Sequence, residues 1–360
     1  MKIFAITSQN KNIPFQGTEN NNSEVAKLID QKRLLDSFIT MVKQDTTSDS
    51  YACSKHHPST PGQAIFAKYL ANILKDIGLQ NIETDKSGIL TGTLPSNTTN
   101  TDVKIGILAH MDTKSPGKNI NPVIHQKYTG GDIDLTDYVT ISSRSLEKSQ
   151  GKTLITSDGT TVLGADDKAG IAEILETLKV YTENPKLLHP EIKIAFTTDE
   201  ECHLSGIRNF DIDKFDIDGA YTIDGNHPEI IDKENLRYPS IFGMDPDLFN
   251  NYYVNAMQKR YSYRNAEFLA QRRKLENLFE KLLEFAKLGL KKSQLEPKIV
   301  SSRGNTDGTY LAYKSIPSAN LGTGGQLRHT CSEFITLEDM KKCTENIINT
   351  LSMWAQKDDN

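Results

Sequence analysis

His110 closes the apolar run Val103–Ala109, and Asp112 follows two residues later, so one strand would deliver an imidazole and a carboxylate to a single turn. In open α/β sheets, ligands bind at that carboxyl end. The imidazole nitrogen can hold a metal while the carboxylate orients a neighbouring donor, although a lone histidine beside a strand can equally be structural. Asp166 and Asp167 stand in LGADDKAG, at the entry to a helical run and among small residues. Capping is the plain reading of such acids, because a carboxylate there accepts free N–H groups and suits the helix dipole. One Asp could cap while the other reaches an ion. Three further places repeat the pattern: Asp199-Glu200-Glu201 follows IKIAFTT, Asp224 closes GAYTID, and Gly322, Gly324 and Gly325 fold the chain just ahead of Arg328-His329.

Each group alone admits a structural reading, but four apolar runs or loops all ending in Asp, Glu or His form the set that a two-metal hydrolase requires. Several carboxylates desolvated together are costly unless cations neutralise them. A borderline ion such as Zn²⁺ accepts this mixture of imidazole nitrogen and carboxylate oxygen. Two ions around a shared carboxylate can polarise a peptide carbonyl and lower the pKa of a water, and the adjacent Glu200 and Glu201 suit one base and one ligand.

The elements that must position these residues follow from the apolar spacing. Val25 to Val42 has helical periodicity, and Pro61 opens a second amphipathic run through Leu74. Strand-like runs recur at 88–94, 103–110, 192–198 and 219–224, with a helical run at 167–181 among them. A charged helical stretch spans roughly 265–290, and an amphipathic helix of about 337–354 closes the chain. Strands alternating with helices imply an α/β fold with a mixed, mainly parallel sheet flanked by helices.

The chain has 360 residues, 37% hydrophobic and 25% charged, enough for one large or two smaller cores. A formal charge of −5, with acids and bases intermixed, argues against nucleic acid or an anionic membrane as the main partner. The four cysteines are scattered without a C-x-x-C pair, which speaks against a disulfide framework or a thiolate zinc site. With a start too polar for a secretory core and no 18-residue apolar run, the sequence reads as cytoplasmic.

Longer blocks carry a resemblance. HMDT (110–113), YTGGDI (128–133), TLITSDGTTVLGADDKAGIAEIL (153–175), AFTTDEE (195–201), YTIDG (221–225), RGNTDG (303–308) and GTGGQLRHTCSEFITLEDM (322–340) closely resemble the peptidase T family of dizinc tripeptide aminopeptidases. The match covers about residues 30 to 230 and 295 to 355. It implies two Zn²⁺ per chain, with His110 and Asp224 on the first, Glu201 and His329 on the second, and Asp166 bridging them. Glu200 would be the general base acting on a water shared by the ions, and Asp112 would orient His110. The implied substrate is a short peptide that loses its N-terminal residue. The five-residue ligand set is complete without His203 or His227.

The resemblance also has gaps. The family places a lid domain between the strand ending in the fourth ligand and the Arg-Gly-x-Thr-Asp-Gly motif, and here only 79 positions separate Asp224 from Arg303. No counterpart of the lid's His-Pro-Gly is present, and RYSYRNAEFLAQRRKLENLFEKL (260–282) resembles only the end of that lid, with Arg264 where a substrate-facing arginine is expected. The expected organisation is an Asn-rich arm over 1–23, a catalytic domain over 24–234 and 293–360, and a truncated, mostly helical lid remnant over 235–292. The reduced lid supports a second reading, a catalytically impaired homologue that keeps its metal site for binding or regulation.

Overall fold

The computed structural model describes residues 22–233, 266–301 and 305–356. The chain opens with α1 (Asn22–Leu28) and α2 (Gln31–Val42), which the periodicity predicts as one helix. Asp30 divides them: its carboxylate accepts the N–H groups of Lys32 and Arg33 and caps the second helix. Next come α3 (Pro61–Ile77), β1 (Gln80–Thr84), β2 (Leu90–Leu94) and β3 (Lys104–His110). Short strands β4 (Val123–His125), β5 (Ile133–Thr136), β6 (Val139–Ile141) and β7 (Leu154–Thr156) lead to α4 (Ala165–Glu183). They are followed by β8 (Glu191–Thr197), a one-turn α5 (Ile212–Phe215), β9 (Gly219–Gly225) and β10 (Ile230–Lys233). Finally α6 (Ala266–Lys292), β11 (Lys298–Val300), α7 (Asp307–Tyr313), β12 (Ser318–Gly322), β13 (Phe334–Thr336) and α8 (Leu337–Trp354) complete the order.

Eight strands form one mixed sheet in the order β1-β2-β8-β3-β9-β12-β10-β11. Its centre, β8-β3-β9-β12, is parallel throughout. These four strands are apolar and almost wholly buried, as expected for parallel strands covered on both faces. The consequence for function is geometric: four parallel strands end on the same edge, and each runs into one of the acidic or histidine-bearing turns. The antiparallel trio β13-β7-β4 stands apart from the large sheet.

α4 is buried on nearly all sides, between the sheet and helices α2, α3 and α8. Among its long-range polar ties is Glu176, which accepts from Arg33 Nε at 2.6 Å and from the Asp30 N–H at 2.8 Å. The last turns of α6 belong to the same core, with Leu282, Leu283, Ala286 and Leu290 essentially inaccessible. Tyr221 donates its hydroxyl to Leu282 O at 2.9 Å, and Trp354 Nε1 donates to that hydroxyl oxygen at 3.2 Å. Among the described residues, no helix is long and apolar enough to cross a membrane.

Candidate metal centre

His110 is the last residue of β3. Its Nδ1 bonds to the backbone carbonyl of Asp112 at 2.9 Å, and its backbone N–H donates to Asp167 Oδ2 at 3.1 Å. The ring is thereby fixed with Nε2 facing the site, 2.9 Å from Asp166 Oδ1. Asp166 presents its other oxygen to His329 Nε2, again at 2.9 Å, and His329 Nε2 also lies 2.7 Å from Glu201 Oε1. The carboxylate of Asp166 thus sits between two imidazoles. Asp224, the penultimate residue of β9, lies within donor range of His110 and Asp167, and Glu200 Oε2 lies 4.0 Å from His110 Nε2.

The Glu pair is held from below. Asp112 accepts the N–H of Glu200 at 2.9 Å on one oxygen and that of Glu201 at 3.1 Å on the other. Its carboxylate therefore grips the turn after β8 and approaches His110 Nδ1 only to 3.4 Å, while its carbonyl orients the ring. Asp199 adopts a φ of 53°, the left-handed region that an Asp tolerates better than most residues. Four donors fix it there: the Ser59 N–H at 2.8 Å and Oγ at 2.5 Å, Gln63 Nε2 at 2.7 Å and His57 Nδ1 at 3.1 Å.

Glu333 is a functional partner that the sequence reading left without a role. Its two oxygens accept the N–H groups of Gly164 at 2.8 Å and Asp166 at 3.0 Å, so it sets the turn that aims Asp166. Its place in the HTCSEF block, four residues after His329, was the available signal. Burial pushes its carboxyl up to about 7. Asp307, in the Asn-Thr-Asp-Gly segment, is likewise buried and pushed up to about 7, and accepts from Thr197 Oγ1 beneath the site.

The electrostatics call for cations. Asp112, Asp166, Asp167, Glu200, Glu201, Asp224 and Asp307 are all buried within this one region. Burial raises Glu200 well above the ordinary carboxylate range and Asp224 to about 6. Burial acts the same way on Asp166, but Arg328 and the two histidines overcome it and hold its carboxyl well below that range. Bonding to Asp166 and Glu201 pushes the His329 imidazole up to about 10. Asp167 Oδ1 is a buried acceptor with no hydrogen-bond partner. Imidazole and carboxylate donors, clustered and with buried acceptors orphaned, among them Asp167 Oδ1 and Asp307 Oδ1, fit hard-to-borderline divalent ions.

The site opens into a cleft of about 510 Å³ whose walls include Glu200, Asp232, Asn305, Asn320, Leu327 and His329. Of the other sequence candidates, His227 borders this cleft and bonds to Gln326 Nε2 at 3.1 Å, and His203 is in neither of the clusters that could hold an ion. Arg264 and Arg303 lie outside the described residues.

Residues 162–352 match the model of peptidase family M20/M25/M40. Peptidase T of Caldanaerobacter subterraneus subsp. tengcongensis is 33% identical, with 90% of this chain and 99% of that protein covered. The chain belongs to the peptidase T family. Peptidase T of Bacillus pumilus is 31% identical over 91% of this chain and all of the relative. Both alignments, of 409 and 415 positions, are longer than the chain itself, so these relatives carry residues with no counterpart here. The fold agrees with that of Bacillus cereus aminopeptidase PepT, at a TM-score of 0.64 and 21% identity, covering 91% of this chain and 100% of the other. A Bacillus subtilis M20 peptidase described as dinuclear and metal binding superposes at 0.52, with 11% identity, covering 91% and 99%. As a peptidase T family member, the chain is a metallo-aminopeptidase of mixed α/β fold.

Proposed function

We propose that this chain is a cytoplasmic, zinc-dependent tripeptide aminopeptidase. The observation that carries the reading is the convergence of His110, Asp166, Glu201, Asp224 and His329 on one cleft edge, with Glu200 beside them. His110 and Asp224 would hold one ion and Glu201 and His329 the other, with Asp166 shared. Two bound Zn²⁺ supply Lewis acidity toward a peptide carbonyl and toward water.

The remaining steps belong to the chain's own side chains. Glu200, buried beside the ligand set, takes the proton of the attacking water as the water oxygen bonds to the carbonyl carbon. It then hands that proton to the departing amine as the C–N bond breaks. Asp112 fixes the backbone from which Glu200 projects, so the base does not drift from its task. The acidic cleft suits the free ammonium of a peptide N-terminus, which favours exopeptidase action over cleavage of blocked substrates.

The second reading, a metal-keeping homologue that binds or regulates without turning over, draws on the short span between Asp224 and Arg303. Arg264 is proposed as the remaining lid contact to the substrate. Losing one such electrostatic contact costs about 2.7–4 kcal/mol in the barrier, which slows an enzyme without abolishing it. The test is a panel of tripeptides and their N-acetylated counterparts, given to zinc-supplied wild type and Glu200→Ala. Release of the first residue from free tripeptides alone, roughly 10²–10⁴ faster than the variant, is expected. Release no faster than the variant would leave the binding reading standing instead.

A further inference from the structure

Arg328 places a fixed positive charge inside one half of the centre. One of its terminal nitrogens donates to Asp224 Oδ1 at 2.8 Å and to Asp224 O at 2.8 Å, and lies 3.7 Å from Asp166 Oδ1. The other terminal nitrogen donates to Gly225 O at 2.9 Å and Thr323 Oγ1 at 3.3 Å. Three of these acceptors, two carbonyls and a hydroxyl, are not metal donors in the proposed set. They would hold the guanidinium in place whether or not Asp224 also meets an ion. An arginine cannot shed its charge in a protein, and both terminal nitrogens of its fork find acceptors here, while Nε has none. The side chain is only 16% exposed, so solvent screens that charge poorly.

The Asp166–Glu201–His329 half differs. Apart from the 3.7 Å approach of Arg328 to Asp166, the lysine or arginine beside it among the described residues is Lys114, which reaches Glu201 Oε2 at 3.3 Å and Glu201 O at 3.2 Å from a side chain 44% exposed. A half-exposed lysine can swing into water when an ion arrives. Arg328 is anchored by its carbonyl acceptors.

We propose that Arg328 makes the two ion positions unequal: the Asp166–Glu201–His329 position retains its ion, and the position shared by His110 and Asp224 binds exchangeably. This inference rests on the two-ion reading above and deepens it. A carboxylate already paired with a guanidinium offers less of its charge to a metal, and the guanidinium itself repels a divalent ion nearby. The expected weakening of the His110–Asp224 position is on the order of a hundredfold. Turnover would then follow the free zinc concentration, since one of its two ions is not permanently held.

The full chain is stripped with a chelator, reloaded with excess Zn²⁺, desalted, and its zinc per chain is measured by elemental analysis, without any turnover assay. Wild type should keep roughly one ion and Arg328→Met roughly two. Asp224→Asn should still keep roughly one, and His329→Ala close to none. The account is overturned if wild type keeps two, or if Arg328→Met, folded by circular dichroism, gains none. Should Arg328→Met fail to fold, the other pair decides, because equal loss from Asp224→Asn and His329→Ala contradicts the asymmetry. Because retention is read apart from hydrolysis, an inactive chain with this pattern would refute the tripeptidase reading alone.

Discussion

The two halves of the centre are built from the same kinds of residue yet are charged differently. Around Asp166, Glu201 and His329 the carboxylates face two imidazoles and a half-exposed lysine, with Arg328 no nearer to Asp166 than 3.7 Å. Around His110 and Asp224 they face a buried arginine tied to the backbone of β9. On the proposed two-ion reading, the difference means that a complete set of donor residues does not imply equal affinity, because each donor competes with cations the protein has already supplied. It also separates what holds the donors, which is shared, from what neutralises them, which is not.

The largest effect should come from Asp166, the residue common to both halves. Asp166→Ala should lower retained zinc and tripeptide turnover to background, and a variant that keeps the wild-type zinc content would break the bridging assignment. Next is Glu333, whose two accepted N–H groups set the Asp166 turn. Glu333→Ala should weaken zinc binding roughly 10- to 100-fold, with Glu333→Gln intermediate. If calorimetric zinc titrations of the two variants match wild type, Glu333 is a bystander.

A smaller effect concerns Glu173, buried in α4 with neither carboxylate oxygen hydrogen-bonded. Burial raises its carboxyl well above the ordinary value of 4.5. The folded state therefore binds more protons than the unfolded chain at pH above 4.5, so stability is fully present below that pH and is lost as pH rises toward the folded pKa. Glu173→Gln removes this dependence, so the variant's Tm should gain on wild type between pH 5 and 8. A gap constant with pH would sink the idea. The smallest effect belongs to His203, whose replacement by Ala should leave zinc content unchanged and stability within about 0.5 kcal/mol. Zinc loss matching that of Asp166→Ala would mean the cluster is misassigned.

The strand ends were legible in the sequence because each apolar run is buried on both faces and stops where an acid or histidine begins. That is why β3, β8 and β9 fall within a residue or two of their expected bounds. The break at Asp30 was less visible, since Leu28 through Ile39 keeps one periodicity across it and only the side-chain cap reveals the stop. The strands β4 and β7 are too short to show alternation, and they exist through pairing with each other and with β13.

Site residues divided along the same line. His110, Asp166, Glu200, Glu201 and Asp224 announced themselves by ending strands or opening a helix. Glu333 and Arg328 act through a loop closing back on β9 and α4, a tertiary contact that no local pattern encodes. Asp112 was legible as a partner of His110, but its grip on the Glu pair depends on β3 and β8 lying side by side.

The most direct test of the account as a whole is the return of N-terminal residue release from a free tripeptide as zinc is added back to stripped enzyme, with Glu200→Gln alongside. Wild type should recover activity with added zinc, and the variant should stay roughly 10²–10⁴ slower at every zinc concentration. Equal recovery by both proteins, or hydrolysis by the stripped chain, would contradict it.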